Sequence, residues 1–253
     1  MPMANPKSAR NVGIDDNMRK ESRVILALDE VRPERAFKVA EQVHDLVDAI
    51  KINWPLILAT SPETITRLAG LAPVICDFKV ADIPNTVSQA VEALAEHGLW
   101  ALTLHCAGGR RMLEEARSAR DKCRSGMSLL GVTVLTSFDE ASWEEVAPGC
   151  PLPEALVRRA TLCKEAGMDG LVCSPLDLAA VRSSAPGLFT VVPGVRPRST
   201  DDDQARVATP REAIASGADY IVVGRPILGA PDRGEAVERM ALEIEEGLGC
   251  RRI

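Results

Sequence analysis

A single-domain (β/α)8 barrel is expected of this 253-residue chain, for three reasons. Eight short runs rich in apolar and β-branched residues alternate with longer amphipathic stretches. That order builds a parallel sheet whose strands are joined through helices. The runs lack strict apolar–polar alternation, as do strands covered on both faces. The polar residues with chemical reach gather at the carboxyl ends of the runs, where a barrel brings together residues distant in sequence. An open doubly wound sheet fits less well. It usually carries a glycine-rich turn after its first strand, and here that turn reads Asp29-Glu30-Val31-Arg32-Pro33.

The first run, 24–28, ends at Asp29 and is followed by a helical stretch over 33–44. The second, 49–52, carries Lys51. The third, 74–78, is apolar to Cys76 and then reads Asp77-Phe78-Lys79. Pro84 ends its extended character and suits the first turn of a helix over 84–97. The fourth run, 101–105, closes on His105 and precedes a helix over 110–124. The fifth, 129–135, leads into Thr136-Ser137, and a helix over 153–166 follows. The sixth is 170–173 and the seventh 189–192, with Arg196 just beyond. A helix over 209–216 leads to the eighth run, 220–223, which Gly224-Arg225 follows. Two connections, 137–151 and 194–208, are long enough to be candidate lids. Residues 1–22 are polar and lack the apolar core of a secretory signal. They read as a flexible leader before a catalytic barrel over 23–253.

Composition narrows the function. The chain is 46% hydrophobic and 26% charged, enough for one large core. Its net charge of -6 gives no bulk attraction to nucleic acid or anionic lipid, and 3% aromatic content is too little for base-stacking platforms. A phosphate-bearing substrate would need a local basic site. The seven cysteines are odd in number, form no C-x-x-C, and several lie in apolar runs. That usage suits reduced thiols in a cytoplasmic protein, not disulfides or a zinc site. The three histidines have no ligand spacing, and no apolar stretch is long enough to span a membrane.

The most informative segment is Asp77-Phe78-Lys79-Val80-Ala81-Asp82-Ile83-Pro84-Asn85-Thr86. Residues i and i+2 of a strand share a side, so Asp77 and Lys79 should project together, with Asp82 on the following loop. Charges clustered beside an apolar strand must be paired or must serve chemistry, because an isolated buried ion is very costly. The bland reading is an exposed ion pair contributing roughly 0–1 kcal/mol, with Asp82 as a helix cap. Lys51 alone reads as a lysine reaching past a barrel rim, and Asp29 as a cap. His105 reads as a hydrogen-bonded structural residue, Cys106 and Cys173 as buried fillers, and Asp201-Asp202-Asp203 as solvated loop.

The full pattern D-x-K-x-x-D-I-P-x-T resembles the signature of the orotidine 5′-monophosphate decarboxylase family, bacterial type. The resemblance extends through Leu26-Ala27-Leu28-Asp29, Ile50-Lys51-Ile52, Leu135-Thr136-Ser137, Pro193-Gly194-Val195-Arg196-Pro197, Gln204 before Thr209-Pro210, and Val223-Gly224-Arg225-Pro226-Ile227. The departures are the leader and an insertion-like acid run over 199–203. The resemblance implies removal of CO2 from orotidine 5′-monophosphate to give UMP, without metal or organic cofactor. It implies Lys79 as proton donor to the pyrimidine C6, within a catalytic array of Lys51, Asp77, Lys79 and Asp82. Asp29 and Lys51 would contact the ribose and Thr136 the pyrimidine. Arg196, Gln204, Gly224 and Arg225 would hold the phosphate, and Ile83, Pro84 and Thr86 would complete the substrate site. It implies a homodimer in which Asp82 and Thr86 reach the neighbouring site. The alternatives are a magnesium-dependent sugar-phosphate decarboxylase or aldolase of the same superfamily, and a non-catalytic phosphate-binding barrel.

Overall fold

The computed structural model describes residues 22–197 and 208–251. Nearly all of the expected leader, the 199–203 acid run and Gln204 lie outside the described residues. The elements run β1 (Val24–Ala27), α1 (Pro33–Val43), β2 (Ala49–Ile52), α2 (Trp54–Ala59), α3 (Glu63–Ala69), β3 (Val74–Val80) and α4 (Pro84–Ala95). Next come β4 (Ala101–His105), a 3-10 turn at Cys106–Gly108, α5 (Gly109–Lys122), β5 (Ser128–Val132), α6 (Glu140–Val146) and α7 (Leu152–Glu165). The last part holds β6 (Gly170–Val172), a 3-10 turn at Pro175–Asp177, α8 (Leu178–Ser184), β7 (Phe189–Val192), α9 (Pro210–Ala215), β8 (Tyr220–Val223), α10 (Arg225–Leu228) and α11 (Arg233–Cys250). The eight strands pair in parallel and in sequence order, and β8 returns to β1, so the barrel is closed as expected. Among the described residues no helix is long and apolar enough to cross a membrane.

The strand runs are continuously apolar because both faces are buried. On β1, Ile25 and Ala27 point into the barrel, while Val24 and Leu26 pack under the helices. The inner layer is completed by Ala49, Ile75, Ala101, Leu130, Val191 and Val222. Trp100, Phe189 and Tyr220 pack against it at the amino ends of β4, β7 and β8, with ring centroids 5.5–6.1 Å apart. These rings fill the amino-terminal floor and leave the carboxyl end as the open one. Three aspartates, each just before a strand, secure the same floor. Asp48 accepts from the Arg23 N–H at 2.5 Å, Asp169 from the Leu129 N–H at 2.8 Å, and Asp219 from the Thr190 N–H at 2.9 Å. Each satisfies a strand-end donor that would otherwise be orphaned.

Strand ends differ from the expected ones where side chains intervene. β5 ends at Val132; beyond it the Thr133 N–H and hydroxyl both donate to the Val172 carbonyl, at 3.3 and 3.1 Å, and Arg159 donates to the Thr133 carbonyl at 2.7 Å. β3 runs two residues further than its apolar run, to Val80, through an irregularity described below. The 137–151 connection, expected as a lid, contains α6. Asp139 and Ser142 form a capping box at its start. Trp143 is buried under it, donates to the Cys150 carbonyl at 2.7 Å, and carries Arg159 over its ring. A packed indole anchors this segment to the barrel.

Four of the thiols behave as fillers. All seven are free, and Cys76, Cys106, Cys163 and Cys173 are buried. Burial pushes the Cys76 and Cys173 thiols up to about 12. The Cys163 thiol is raised by its hydrogen bond with Cys106, then by burial. Gly131 on β5 faces this pair. A Cβ there would lie 2.2 Å from the Cys163 sulphur and 3.0 Å from that of Cys106. Gly131→Ala should therefore destabilise the barrel by about 1–3 kcal/mol in urea unfolding. Adding Cys163→Ala should recover part of that loss, because the two sites share one space. An alanine at 131 tolerated without loss would refute the close packing.

Candidate active site

The inward-facing row of each strand continues past the apolar layer into polar side chains. Ile25 and Ala27 lead to Asp29, Ala49 to Lys51, Ile75 to Asp77, Ala101 to Thr103, and Val222 to Gly224. The period of two therefore delivers five neighbouring positions to the carboxyl mouth of the barrel. Lys51 lies between two carboxylates. Its Nζ is 3.2 Å from Asp77 Oδ2 and 3.7 Å from Asp29 Oδ1, and Asn53 donates to Asp29 Oδ1 at 3.0 Å. Lys79 Nζ donates to Asp77 Oδ1 at 2.8 Å. The result is an alternating chain Asp29–Lys51–Asp77–Lys79 with no net charge. Its middle is buried, with side chains 13% exposed for Lys51 and 14% for Asp77, while Lys79 is 38% exposed. Burial pushes the Asp77 carboxyl up, but the Lys51 and then the Lys79 ammonium outweigh it and hold the group below its ordinary value.

Lys79 does not reach this position as a regular strand residue. Cys76 pairs with Leu102 but Val80 pairs with Leu104, so four steps on β3 match two on β4 and the intervening residues bulge. Lys79 takes a left-handed φ of 47°. In a residue with a side chain this costs about 1–2 kcal/mol and persists only where the surroundings impose it. Two side chains grip the bulge. Trp54 donates from its indole to the Phe78 carbonyl at 2.9 Å and stacks on the Phe78 ring at 4.0 Å. Thr103, 2% exposed, accepts from the Lys79 backbone N–H at 2.8 Å and donates to Asp77 Oδ1 at 3.1 Å. Neither residue stood out in the sequence. For Thr103 a signal existed, since it shares the inner side of β4 with Ala101.

A cavity of about 360 Å3 lies above this chain. Asp29, Lys51, Asp77 and Lys79 line one part of it, and Val132, Val134, Leu135, Thr136 and Ser137 form a second wall. Val172 and Val222 add apolar surface. Arg196, Gly224 and Arg225 line the part beside β7 and β8, and the closed strand order sets β7 opposite β3. Gly224 leaves little space for a side chain, because a Cβ there would meet that of Ala27 at 3.3 Å. The ends of the long seventh connection are tied together: the Arg196 N–H donates to the Ala208 carbonyl at 3.0 Å, and Gly194 takes a left-handed φ of 79°.

The cavity thus assembles Asp29, Lys51, Asp77, Lys79, Thr136, Arg196, Gly224 and Arg225. It does not include Asp82, Ile83, Pro84 or Thr86. Asp82 is exposed on the β3–α4 loop, where its carboxylate accepts from the Ile83 N–H at 2.6 Å. Ile83 is 67% exposed, Pro84 opens α4, and Thr86 is exposed on its first turn. His105 caps the turn after β4 by accepting from the Ala107 N–H at 3.1 Å. Burial, then Arg159 and Lys79, lower its pKa, so the ring is neutral near pH 7. A second cavity, lined by Thr209, Arg211, Glu212, Glu243 and Glu246, lies between α9 and α11 on the helical layer. It is larger, about 550 Å3, but its lining shares nothing with the strand-end constellation.

Chemically, the strand-end cavity presents a partly exposed ammonium, fixed by a buried carboxylate, to one part of a ligand and two guanidinium-bearing residues to another. A protein-family model described as Orotidine 5'-phosphate decarboxylase / HUMPS family matches residues 22–240. The orotidine 5'-phosphate decarboxylase of Chromohalobacter salexigens is 41% identical over 226 residues, covering 88% of this chain and 96% of that one. The enzyme of the same name from Pseudomonas fluorescens is 40% identical over 225 residues, covering 87% and 97%. The crystal structure of orotidine 5'-phosphate decarboxylase from Lactobacillus acidophilus superposes with a TM-score of 0.78 at 31% identity, covering 87% of this chain and 98% of that chain. The one from Pyrococcus horikoshii OT3 superposes with 0.74 at 27% identity, covering 88% and 99%. The matched span carries every residue of the constellation from Asp29 to Arg225, and the chain belongs to the orotidine 5'-phosphate decarboxylase family.

Proposed function

We propose that this chain decarboxylates orotidine 5′-monophosphate to UMP in pyrimidine biosynthesis, without metal or organic cofactor, and that Lys79 supplies the proton. The observation that carries this reading is the Lys79 ammonium, held 2.8 Å from the Asp77 carboxylate at the cavity wall. In the reaction the bond between C6 and the carboxyl carbon breaks, CO2 departs, and its electron pair stays on C6. No ring carbonyl is well placed to delocalise that pair, so a preorganised positive charge aimed at C6 is the effective aid. Lys79 stabilises the developing carbanion and then transfers a proton from Nζ to C6, giving UMP. Asp77, flanked by two ammonium groups, holds the Lys79 ammonium aligned.

The rest of the cavity accounts for binding. Lys51 and Asp29 meet the ribose hydroxyls, and Thr136 the pyrimidine. Arg196, Arg225 and the Gly224 N–H hold the phosphate, joined by Gln204 from the seventh connection. An arginine fork and a side-chain-free backbone both suit a phosphate. Binding energy gained there, remote from C6, can be spent on the transition state at the ring. A magnesium-dependent sugar-phosphate enzyme is the weaker reading, because a divalent cation between Asp29 and Asp77 would contact the Lys51 ammonium that already bridges them.

The site is read as shared within a homodimer. Asp82 and Thr86 lie outside their own chain's cavity, beside exposed apolar Ile83. Trp54 and Leu58, from the neighbouring β2–β3 segment, are also exposed. A partner covering this surface would bury the apolar groups and carry its Asp82 and Thr86 to the opposite cavity. Seven free thiols fit a reducing compartment such as the cytoplasm.

Loss of orotidine 5′-monophosphate absorbance should be catalysed equally with and without a chelator. Lys79→Ala should lower the rate by about 10^4-fold or more while still binding UMP. Substantial turnover by that variant, or magnesium dependence of the native chain, would refute the mechanism. Mixing inactive Lys79→Ala with inactive Asp82→Ala should restore up to about a quarter of wild-type activity, since half of randomly exchanged dimers are mixed and each has one whole site. No recovery with proven exchange would exclude the shared site. Asp77 also predicts a pH dependence of stability. Its folded pKa lies below the ordinary 3.8, so its stabilising contribution is complete above 3.8 and is lost as pH falls through the lower folded value. The stability gap between wild type and Asp77→Asn should shrink over that acid range, and a gap independent of pH would contradict the ion pairs.

A further inference from the structure

The proposed proton donor stands on a distorted backbone, and something must hold both its main chain and its counter-ion in register. Asp77 fixes the end of the Lys79 side chain but cannot by itself fix the left-handed turn at its Cα. Three observations converge on a neighbouring strand. Thr103 is 2% exposed and faces inward from β4. Its hydroxyl accepts from the Lys79 N–H at 2.8 Å, replacing the ladder bond that the bulge removes. The same hydroxyl donates to Asp77 Oδ1 at 3.1 Å, the oxygen that Lys79 Nζ contacts at 2.8 Å. A closed ring results: Lys79 N–H to Thr103 Oγ, Thr103 O–H to Asp77 Oδ1, and Asp77 Oδ1 back to Lys79 Nζ.

We infer that Thr103 is a positioning residue for Lys79, an inference that rests on the reading of Lys79 as proton donor. The role needs a group that accepts and donates through one atom, which a hydroxyl does and a methyl cannot. The hydroxyl orients the Asp77 carboxylate and anchors the Lys79 backbone together, so the ammonium has one direction in which to point. Thr103 does not line the cavity. It acts on the reaction through Lys79 and Asp77, not through the substrate.

This separates its effect on chemistry from any effect on binding. The test compares Thr103→Val, Thr103→Ser and Lys79→Ala in single-turnover decarboxylation, with UMP affinity measured on each. Valine keeps the shape and removes the hydroxyl; serine keeps the hydroxyl. Thr103→Val should slow the single turnover about 10- to 100-fold, the usual scale for a misplaced reacting group, with UMP affinity unchanged. Thr103→Ser should restore most of the rate. Should valine unfold the barrel, Thr103→Ala removes the same hydroxyl without adding bulk and makes the same comparison. A hydroxyl-free variant at wild-type rate, while Lys79→Ala is inactive, would overturn the role of Thr103 and leave Lys79 as donor. A rate loss matched by weaker UMP binding, or one that serine fails to restore, would make Thr103 merely structural. An active Lys79→Ala would overturn both readings, which distinguishes that failure from the others.

Discussion

The site depends on one carboxylate. Asp77 accepts from lysines on two strands and from the hydroxyl of a threonine on a third, and each of its oxygens has a charged partner. Charge pairs taken out of water return little stability for the desolvation they incur. Their value here is geometric. With Asp77 held ionised, Lys51 and Lys79 are both drawn to it at the barrel mouth, and neither can turn away without leaving a buried anion underpaired. The barrel beneath is almost entirely apolar, so this polar layer has no other partners among the inner-layer residues below it.

The closed topology and the alternating charges are linked by strand parity. Parallel pairing places the inner rows of neighbouring strands side by side: Ala27 pairs with Lys51, Lys51 with Ile75, and Ile75 with Ala101. Asp29 and Asp77 therefore each lie one inward step beyond Lys51, whose side chain reaches up between them, and Thr103 stands beside Asp77 on β4. Lys79 stands one step further along β3, and the bulge brings it back to Asp77. An ideal strand would have carried it beyond the layer that holds it. The strain at this residue and the constellation around it have the same origin.

All eight strands and the residues at their carboxyl ends were legible in the sequence, because strand runs buried on both faces are conspicuously apolar and their charged terminations are abrupt. The pairing of Asp77 with Lys79 followed from spacing alone, and that of Lys51 with Asp77 from the family resemblance. Three features were hidden for physical reasons. Thr103 is a common strand residue whose importance appears only when the β3 bulge offers it an unpaired N–H. Trp54 acts through a backbone carbonyl, which leaves no mark on residue type. The 137–151 connection looked free because its length is visible in sequence, whereas the burial of Trp143 is a tertiary event. That Asp82 and Thr86 lie outside their own chain's cavity was not legible, since no local pattern marks on which side of the β3–α4 loop a residue turns.

The three rings at the amino end of the barrel have a consequence for traffic through it. Trp100, Phe189 and Tyr220 pack at the amino-terminal floor, and the cavity lies at the carboxyl mouth. On the proposed reaction, the gas released at the pyrimidine must leave by the route the nucleotide used to arrive. On the same proposal that route runs past the ribose and phosphate at the rim, so escape of the smaller product and loosening of the larger one would share a single doorway.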